Sequence, residues 1–111
     1  MSAAKAVLIL AALPGRDDAE HAGEQIVEEG LAVSGSVIPG IHSFHQEEGR
    51  IRREHEALLM LWSDVASVEA IRHRLEEFHA GEADVVPLDD VRAGSGHWRW
   101  LGSLGSPLDR G

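Results

Sequence analysis

Cysteine is absent from this chain of 111 residues. Its absence excludes disulfides and thiolate metal sites, but it leaves the redox compartment open because a chain without cysteine suits either one. Basic residues are also scarce: the chain has 10 Lys and Arg against 19 Asp and Glu, for a formal net charge of -9. A nucleic-acid partner requires a basic face that neutralises phosphates, so this composition argues against one.

Long apolar runs are missing as well. Lys5 precedes an apolar run over residues 6–13, which is at the short end for a secretion signal and well below the roughly 20 residues of a membrane-spanning helix. We interpret the run as a strand and expect a cytoplasmic protein with no membrane partner. With 43% hydrophobic and 26% charged residues, the chain fits a single domain over residues 1–111. Residues 105–111 are expected to form a frayed tail.

The stretch from residue 31 to residue 63 organises the rest of the chain. Its two apolar ends flank a polar middle that contains Glu48-Gly49, and Gly49 can adopt the positive φ that a two-residue hairpin turn requires. We therefore predict a long β-hairpin with a buried base and a tip in water. Pro39-Gly40 interrupts the first strand, which predicts a bulge or an edge position that bends the ribbon. Such an arm is too long to lie on its own domain, so we expect a second copy of the chain to cover it.

The flanking segments alternate between strands and helices. The apolar run at residues 7–10 is typical of a central strand, and a helix follows it with Asp17 or Asp18 as its cap and Gly30 at its end. After the hairpin, Ser67 is predicted to cap a second helix. A fourth strand over residues 85–91 carries Pro87 and is therefore predicted at an edge.

A short last helix over residues 97–104 completes the order βαββαβ plus helix. With right-handed crossovers, this order predicts an α+β fold, the ferredoxin-like sandwich.

Several segments together resemble one known family. The sequences EEGLAVSGSVIPGIHSFHQEEGRI and EALLML, the turn from His79 to Glu82, and the ending GSGHWRWL are similar to the CutA family of divalent-cation tolerance proteins. The resemblance implies a ferredoxin-like subunit, a homotrimer joined through the long hairpin, and binding of a divalent metal, often discussed for copper. It also implies an architecture similar to the PII signalling trimers.

The chain departs from the family pattern at positions that are expected to line the cleft between subunits. Ser34 replaces a common cysteine, Trp62 replaces a common lysine, and Ala80-Gly81 replaces Pro-Tyr in the turn. The loss of the thiol removes a soft metal ligand. The fold is therefore expected to carry over better than the site.

His79 and Glu82 are the metal ligands that the resemblance implies. An imidazole and a carboxylate three residues apart on a turn can reach one divalent ion, and such nitrogen and oxygen donors suit Cu(II) or Zn(II) better than Cu(I). The alternative is that His79 caps the second helix, where a partly cationic ring near the last carbonyls is favourable.

His42 and His55 form a second candidate set. If Glu48-Gly49 is a two-residue turn, these two histidines lie directly opposite each other across the ladder, close enough to chelate a metal. They supply half of a typical zinc shell, so further ligands are needed. The alternative is a solvated strand, because any register change separates the pair.

Two further groups of residues are candidates for binding. Arg50 and Arg52 can clamp an anion, and with Trp62 they are assigned to a ligand cleft between subunits; an exposed ribbon of mixed charge is the alternative. Trp98 and Trp100 straddle Arg99, so one of them must meet solvent or a partner. We assign these tryptophans to an interface between subunits, together with three residues of the hairpin: Pro39, Gly40 and Phe44.

Catalysis is not indicated, because the chain has no cysteine nucleophile and no recognisable Ser-His-Asp arrangement. Three functional hypotheses remain. The first is a non-enzymatic homotrimer of the CutA type that binds a divalent metal such as Cu(II) or Zn(II). The second is a PII-like sensor that binds a nucleotide or small anion between subunits, and the third is a structural trimer that serves as a platform for a partner protein.

Overall fold

The structure, a computed structural model, describes residues 5–88. Its elements follow the predicted order: β1 (Ala6–Leu13), α1 (Arg16–Glu28), β2 (Ser34–Glu47), β3 (Arg50–Asp64), α2 (Val68–Glu77) and β4 (Asp84–Pro87). A single 3-10 turn, Val65–Ser67, joins β3 to α2. The predicted helix at residues 97–104, with Trp98 and Trp100, lies outside the described residues.

The four strands form one antiparallel sheet in the order β2-β3-β1-β4. Each helix connects two consecutive strands that are not neighbours in the sheet: α1 joins β1 to β2, and α2 joins β3 to β4. The split βαβ arrangement requires this spacing. The α+β, ferredoxin-like prediction is confirmed. β4 lies at an edge of the sheet, in agreement with its proline.

One face of the sheet carries the core. Side chains alternate along each strand, and the odd-numbered residues of β1 and of the inner half of β3 are buried beneath the two helices. The helices contribute small and branched residues to the same cluster. Its buried members include Val7, Ile9, Leu13, Ala19, Ala22, Ile26, Leu59, Leu61, Ile71 and Leu75.

The opposite face of the sheet is also apolar but stays partly exposed. Its members on β1 and β3 are Leu8, Leu10, Leu58, Met60 and Trp62. Among the described residues, none of these side chains belongs to the core cluster or packs against it. A sheet face this apolar is normally covered in a stable assembly.

The hairpin has the predicted turn and bulge. Glu48 and Gly49 have φ of 51° and 78°, the positive values at both central residues that define a type I′ turn. The register of the ladder shifts between Ile38 and Ile41, so Pro39-Gly40 forms the bulge. The described residues extend 52 Å along their longest axis against 27 and 23 Å along the others, because the outer part of the hairpin projects beyond the helices.

The predicted N-terminal caps of both helices are wrong in their chemistry. Gly15 is the residue before α1, and Asp17 and Asp18 lie inside its first turn, where a negative charge is favourable to the helix dipole. Ser67 precedes α2 but its side chain makes no cap hydrogen bond. Instead, the Asp64 carboxylate accepts a hydrogen bond from the Ser67 backbone N–H at 3.0 Å, because the intervening 3-10 turn presents that amide first.

The C-terminal ends of the two helices share one geometry. The N–H of Leu31 donates to the carbonyl of Ile26 and that of Ala80 to the carbonyl of Leu75, each at 3.1 Å. These are the long hydrogen bonds of the Schellman motif, which places one residue in the left-handed region. That residue is Gly30 after α1, as predicted, and His79 after α2.

Arg74 ties the two helices together. Its Nε and Nη2 donate to the two carboxylate oxygens of Glu29 at 2.9 and 2.7 Å, and its Nη1 donates to Glu77 at 2.7 Å. These hydrogen bonds raise the pKa of Arg74 above its ordinary value, and the bond from Arg74 lowers the pKa of Glu77. The guanidinium also lies 5.1 Å from the centroid of the Phe78 ring. Arg74 therefore joins the C-terminal end of α1 to the C-terminal end of α2.

Candidate functional site

The root cleft, as we name it, is a depression of about 550 Å³ at the point where the hairpin leaves the helix layer. Three parts of the chain meet there: the end of β1, the outer half of β3 and the loop after α2. The lining residues are Ala12, Pro14, Glu54, His55, Glu56, His79, Ala80 and Gly81. The cleft therefore brings together one histidine from each of the two sets that the sequence indicates.

His79 reaches the root cleft because of the way α2 ends. Its φ of 61° places it in the left-handed conformation at the helix terminus, and its N–H donates to the carbonyl of Glu76 at 3.0 Å. Two residues later, the N–H of Gly81 donates to the carbonyl of Ala12 at 2.9 Å and fixes the loop to β1. The backbone of His79 thus closes the end of α2, and its side chain is exposed. The predicted interaction of a partly cationic ring with the last carbonyls stays a prediction.

His55 reaches the cleft from β3. It lies two residues before Ala57, where the buried alternation of β3 begins, so it projects from the helix-side face of the sheet. His42 is paired with it directly across the ladder, and the two rings are stacked with centroids 4.3 Å apart and planes 13° from parallel. The opposition of His42 and His55 expected from the turn register is therefore present.

Glu82 does not line the root cleft. It lies with Arg72, Glu76 and Ala83 around a separate depression of about 300 Å³ on α2 and the loop after it. His79 and Glu82, three residues apart, therefore line different depressions. Within residues 5–88, no three side chains of histidine, cysteine, aspartate or glutamate are close enough to hold one metal ion.

The residues of the expected anion cleft do not gather in one place. Arg50 and Arg52 line one depression at the tip of the hairpin, where Arg52 forms ion pairs with Glu47 at 3.5 Å and Glu54 at 3.1 Å. Trp62 lies on the same strand ten residues beyond Arg52, which corresponds to about 33 Å. These three residues meet in one cleft only if neighbouring subunits bring them together.

The predicted interface residues of the hairpin are exposed in the single subunit. Pro39 and Gly40 form the bulge, and Phe44 is 67% exposed. An exposed aromatic ring on a projecting arm is consistent with a contact to another chain. Trp98 and Trp100 lie outside the described residues.

A further depression was not indicated by the sequence. It measures about 750 Å³ and lies between α1 and the edge strand β2. Three glutamates at intervals of four along α1 (Glu20, Glu24 and Glu28) border an apolar floor of Val27, Val37 and Leu59. The interval was visible in the sequence, but only the fold shows that these carboxylates overhang the sheet edge.

The donor chemistry of the root cleft fits borderline divalent cations. Imidazoles come from His55 and His79, which line the cleft, and from His42, which is stacked on His55. Imidazole nitrogen suits zinc, copper(II) and nickel, whereas the missing thiolates would be needed for copper(I). Because the described residues supply no complete set of three protein ligands, water or a neighbouring subunit must complete the shell of any bound ion.

Comparison with known proteins places the chain in a family. Residues 7–103 match the family model described as CutA1 divalent ion tolerance protein. The divalent-cation tolerance protein CutA of Citrobacter koseri is 24% identical over 102 residues, which cover 91% of this chain and 89% of the relative. The chloroplastic CutA protein of Arabidopsis thaliana is 24% identical over 96 residues, or 86% of this chain and 53% of the longer plant protein.

The fold has solved counterparts. The crystal structure of CutA1 from Oryza sativa aligns with a TM-score of 0.75 and 18% identity, covering 91% of this chain and 93% of the rice chain. No helix within the described residues is long and apolar enough to cross a bilayer. Since the match extends from the first strand to residue 103, this chain belongs to the CutA1 divalent ion tolerance protein family.

Proposed function

We propose that this chain is a non-enzymatic protein that binds divalent cations and works as a homotrimer. The observation that carries the proposal is the root cleft, where His55 and His79 approach one depression from two different elements. The family is named for divalent ion tolerance, and the cleft offers the nitrogen donors that such ions take. A platform for a partner protein would not require these histidines.

Two surfaces of the single subunit support assembly with further copies. The open face of the sheet presents Leu58, Met60 and other apolar side chains that the described helices leave partly exposed. The hairpin projects beyond the helix layer and carries Phe44 and Ile51 exposed. Covering both removes apolar area from water, at about 25 cal/mol for each Å². A trimer in which each arm lies on a neighbour satisfies both surfaces.

His79 is the proposed cation ligand on the loop side of the root cleft. It is held at a helix end whose backbone is fixed by hydrogen bonds on both sides, so its ring has a restricted range of positions. Glu82, the other ligand implied by the family resemblance, lies at a different depression. We propose that Glu82 contributes only where a neighbouring subunit approaches that side of the loop.

The test combines light scattering with calorimetric titration of Zn(II) and Cu(II). We expect a trimer in solution and saturable binding by the wild-type protein. His79→Gly removes the imidazole but keeps the cap, because glycine adopts the left-handed conformation without strain. We expect its affinity to fall about tenfold or more, while His73→Gln on the exposed surface of α2 binds as the wild type does. A monomer, or a wild-type protein that gives no saturable heat, contradicts the proposal.

The nucleotide or anion alternative is not favoured by any described contact. Arg52 is already engaged by two carboxylates, and Trp62 is far from it along β3. A cytoplasmic location stays a prediction, since one relative is named as chloroplastic.

A further inference from the structure

We propose that His42 and His55 form a two-histidine chelate for a borderline divalent cation, the class of Zn(II), Ni(II) and Cu(II), on the arm beside the root cleft. The inference rests on the proposed cation-binding function, because it names the ligands and the class of ion. It differs from that proposal in placing the principal donors on the hairpin ladder rather than on the loop after α2.

The first observation is the pairing itself. His42 and His55 are partners across β2 and β3, with ring centroids 4.3 Å apart. Directly opposed residues of an antiparallel ladder have their Cβ atoms about 4.5–5.5 Å apart. Two nitrogens that each lie about 2.0–2.1 Å from a zinc ion fit this separation. The backbone therefore sets the spacing of the two donors before any ion arrives.

The second observation is the bulge that produces the pairing. On the inner part of β2, Val37 shares a face with Leu59 of the core, so odd-numbered residues of β2 lie on the helix side. Pro39-Gly40 inserts one residue and reverses this parity, which moves the even-numbered His42 to the helix side, opposite His55. Without the bulge, His42 would lie on the other face, away from its partner.

Coordination requires a small rearrangement of the stacked rings. A metal ion binds in the plane of an imidazole, and two parallel planes do not converge on one ion. The torsion that rotates a histidine ring is broad and roughly two-fold, so both rings can turn toward a common ion with little strain. Both side chains are exposed, and water can fill the positions that two protein ligands leave open.

The other described histidines lack this arrangement. His45 lies on the opposite face of the arm, where it pairs with Arg52 in the ladder and contacts Glu47 at 3.4 Å. His21 packs edge-on against the Phe78 ring at 5.3 Å. Within residues 5–88, His42 and His55 are the histidine rings in contact with each other, so the ladder offers a matched control in His45.

Calorimetric titration with zinc chloride and nickel chloride tests the chelate. We expect His42→Gln and His55→Gln each to lower the affinity about tenfold or more. The double variant is expected to bind no more weakly than the weaker single variant, because one imidazole alone forms no chelate. His45→Gln is expected to bind as the wild type does. Electron paramagnetic resonance of the Cu(II) complex gives a second readout, with coupling to two imidazole nitrogens expected.

A variant of unchanged composition tests the role of the strand face. His42→Ser with Ser43→His moves the imidazole by one residue, so that it projects from the other face of the sheet, away from His55. Both positions are on the arm outside the core, so the fold is expected to stay intact, which circular dichroism checks. Loss of binding in this variant supports the chelate, and wild-type affinity in it overturns the chelate.

The outcomes separate this inference from the proposed function. If the wild-type protein binds neither ion, both fall. If binding persists in His42→Gln and His55→Gln but is lost in His79→Gly, the chelate is overturned while the cation-binding function stands. If binding is lost in the two arm variants and kept in His79→Gly, the chelate stands and the role proposed for His79 falls.

Discussion

The root and the arm of the hairpin share two strands but are held in place by different forces. The root, in which residues 34–38 pair with residues 58–62, alternates buried and partly exposed side chains along β3 beneath the helix layer. The arm, residues 41–56, has no fully buried side chain. Its order rests on the ladder, the type I′ turn and ion pairs such as that of Arg52 with Glu54 at 3.1 Å.

This contrast teaches where stability and chemistry reside. Exposed ion pairs contribute about 0–1 kcal/mol each, whereas a buried leucine contributes about 1.5–3 kcal/mol through removal from water. The root can therefore fold within one subunit, and the arm gains most from a neighbour. The exposed histidines of the hairpin lie on the arm, where side chains are not needed to pack the core.

The largest expected effect is a loss of stability at the root of the hairpin. Leu61 is fully buried in the core and Ile51 on the arm is 57% exposed. We expect Leu61→Ala to lower the free energy of unfolding by about 2–5 kcal/mol because it leaves a cavity. In the same strand, Ile51→Ala should change it by about 0.5 kcal/mol or less within the subunit. Urea unfolding at one fixed protomer concentration measures both.

Ile51→Ala also sharpens the comparison in the assembly. If neighbouring subunits cover the arm, this variant weakens the trimer, which light scattering on dilution detects, even though the subunit remains folded. Equal losses of subunit stability in Leu61→Ala and Ile51→Ala would show that the arm is not the less buried half.

A smaller difference in stability is expected between substitutions of two serines of the same hairpin. Ser63 is fully buried and its hydroxyl donates to the backbone carbonyl of Leu31. Ser63→Ala leaves that carbonyl without this donor, at a cost of about 1–3 kcal/mol. Ser43→Ala on the arm should stay within about 0.5 kcal/mol of the wild type. Thermal unfolding of the two variants side by side measures the difference, and similar melting temperatures would contradict it.

The smallest expected effect is a gain, at the tip. Glu48 has a positive φ of 51°, which costs an ordinary L-residue about 1–2 kcal/mol. Asparagine tolerates this conformation, and Asn-Gly is a preferred type I′ pair. We expect Glu48→Asn to stabilise the arm by up to about 1 kcal/mol. Amide exchange should slow in the arm and stay unchanged in the root; slower exchange in the root alone would contradict the separation.

Local signals made most of the fold predictable. Glu48-Gly49 fixed the turn, and that turn fixed which residues of the arm face each other. Pro39-Gly40 indicated the bulge, because proline has no backbone N–H to donate to the ladder. The N-caps were mispredicted because Asp17, Asp18 and Ser67 have capping side chains, but backbone geometry decides which amides are free, and the sequence does not show it.

The candidate site was predictable only within the hairpin. The His42–His55 pair follows from counting outward from the turn, which is local information. The approach of His79 to His55 depends on how α2 and its loop pack against β1, including the hydrogen bond from Gly81 to Ala12. The same packing places Glu82 at another depression, so the pairing of His79 with Glu82 in one metal site stays a prediction.

The left-handed residue after α2 links helix stability to chemistry. Histidine stands there in a conformation that glycine adopts at lower cost, so His79→Gly is expected to make the last turn of α2 firmer while it deletes an imidazole. A ligand bound by the His79 ring would restrain the residue that closes the last turn of α2. We therefore expect ligand binding to slow hydrogen exchange at the amides of residues 78–81 without changing the shape of the sheet.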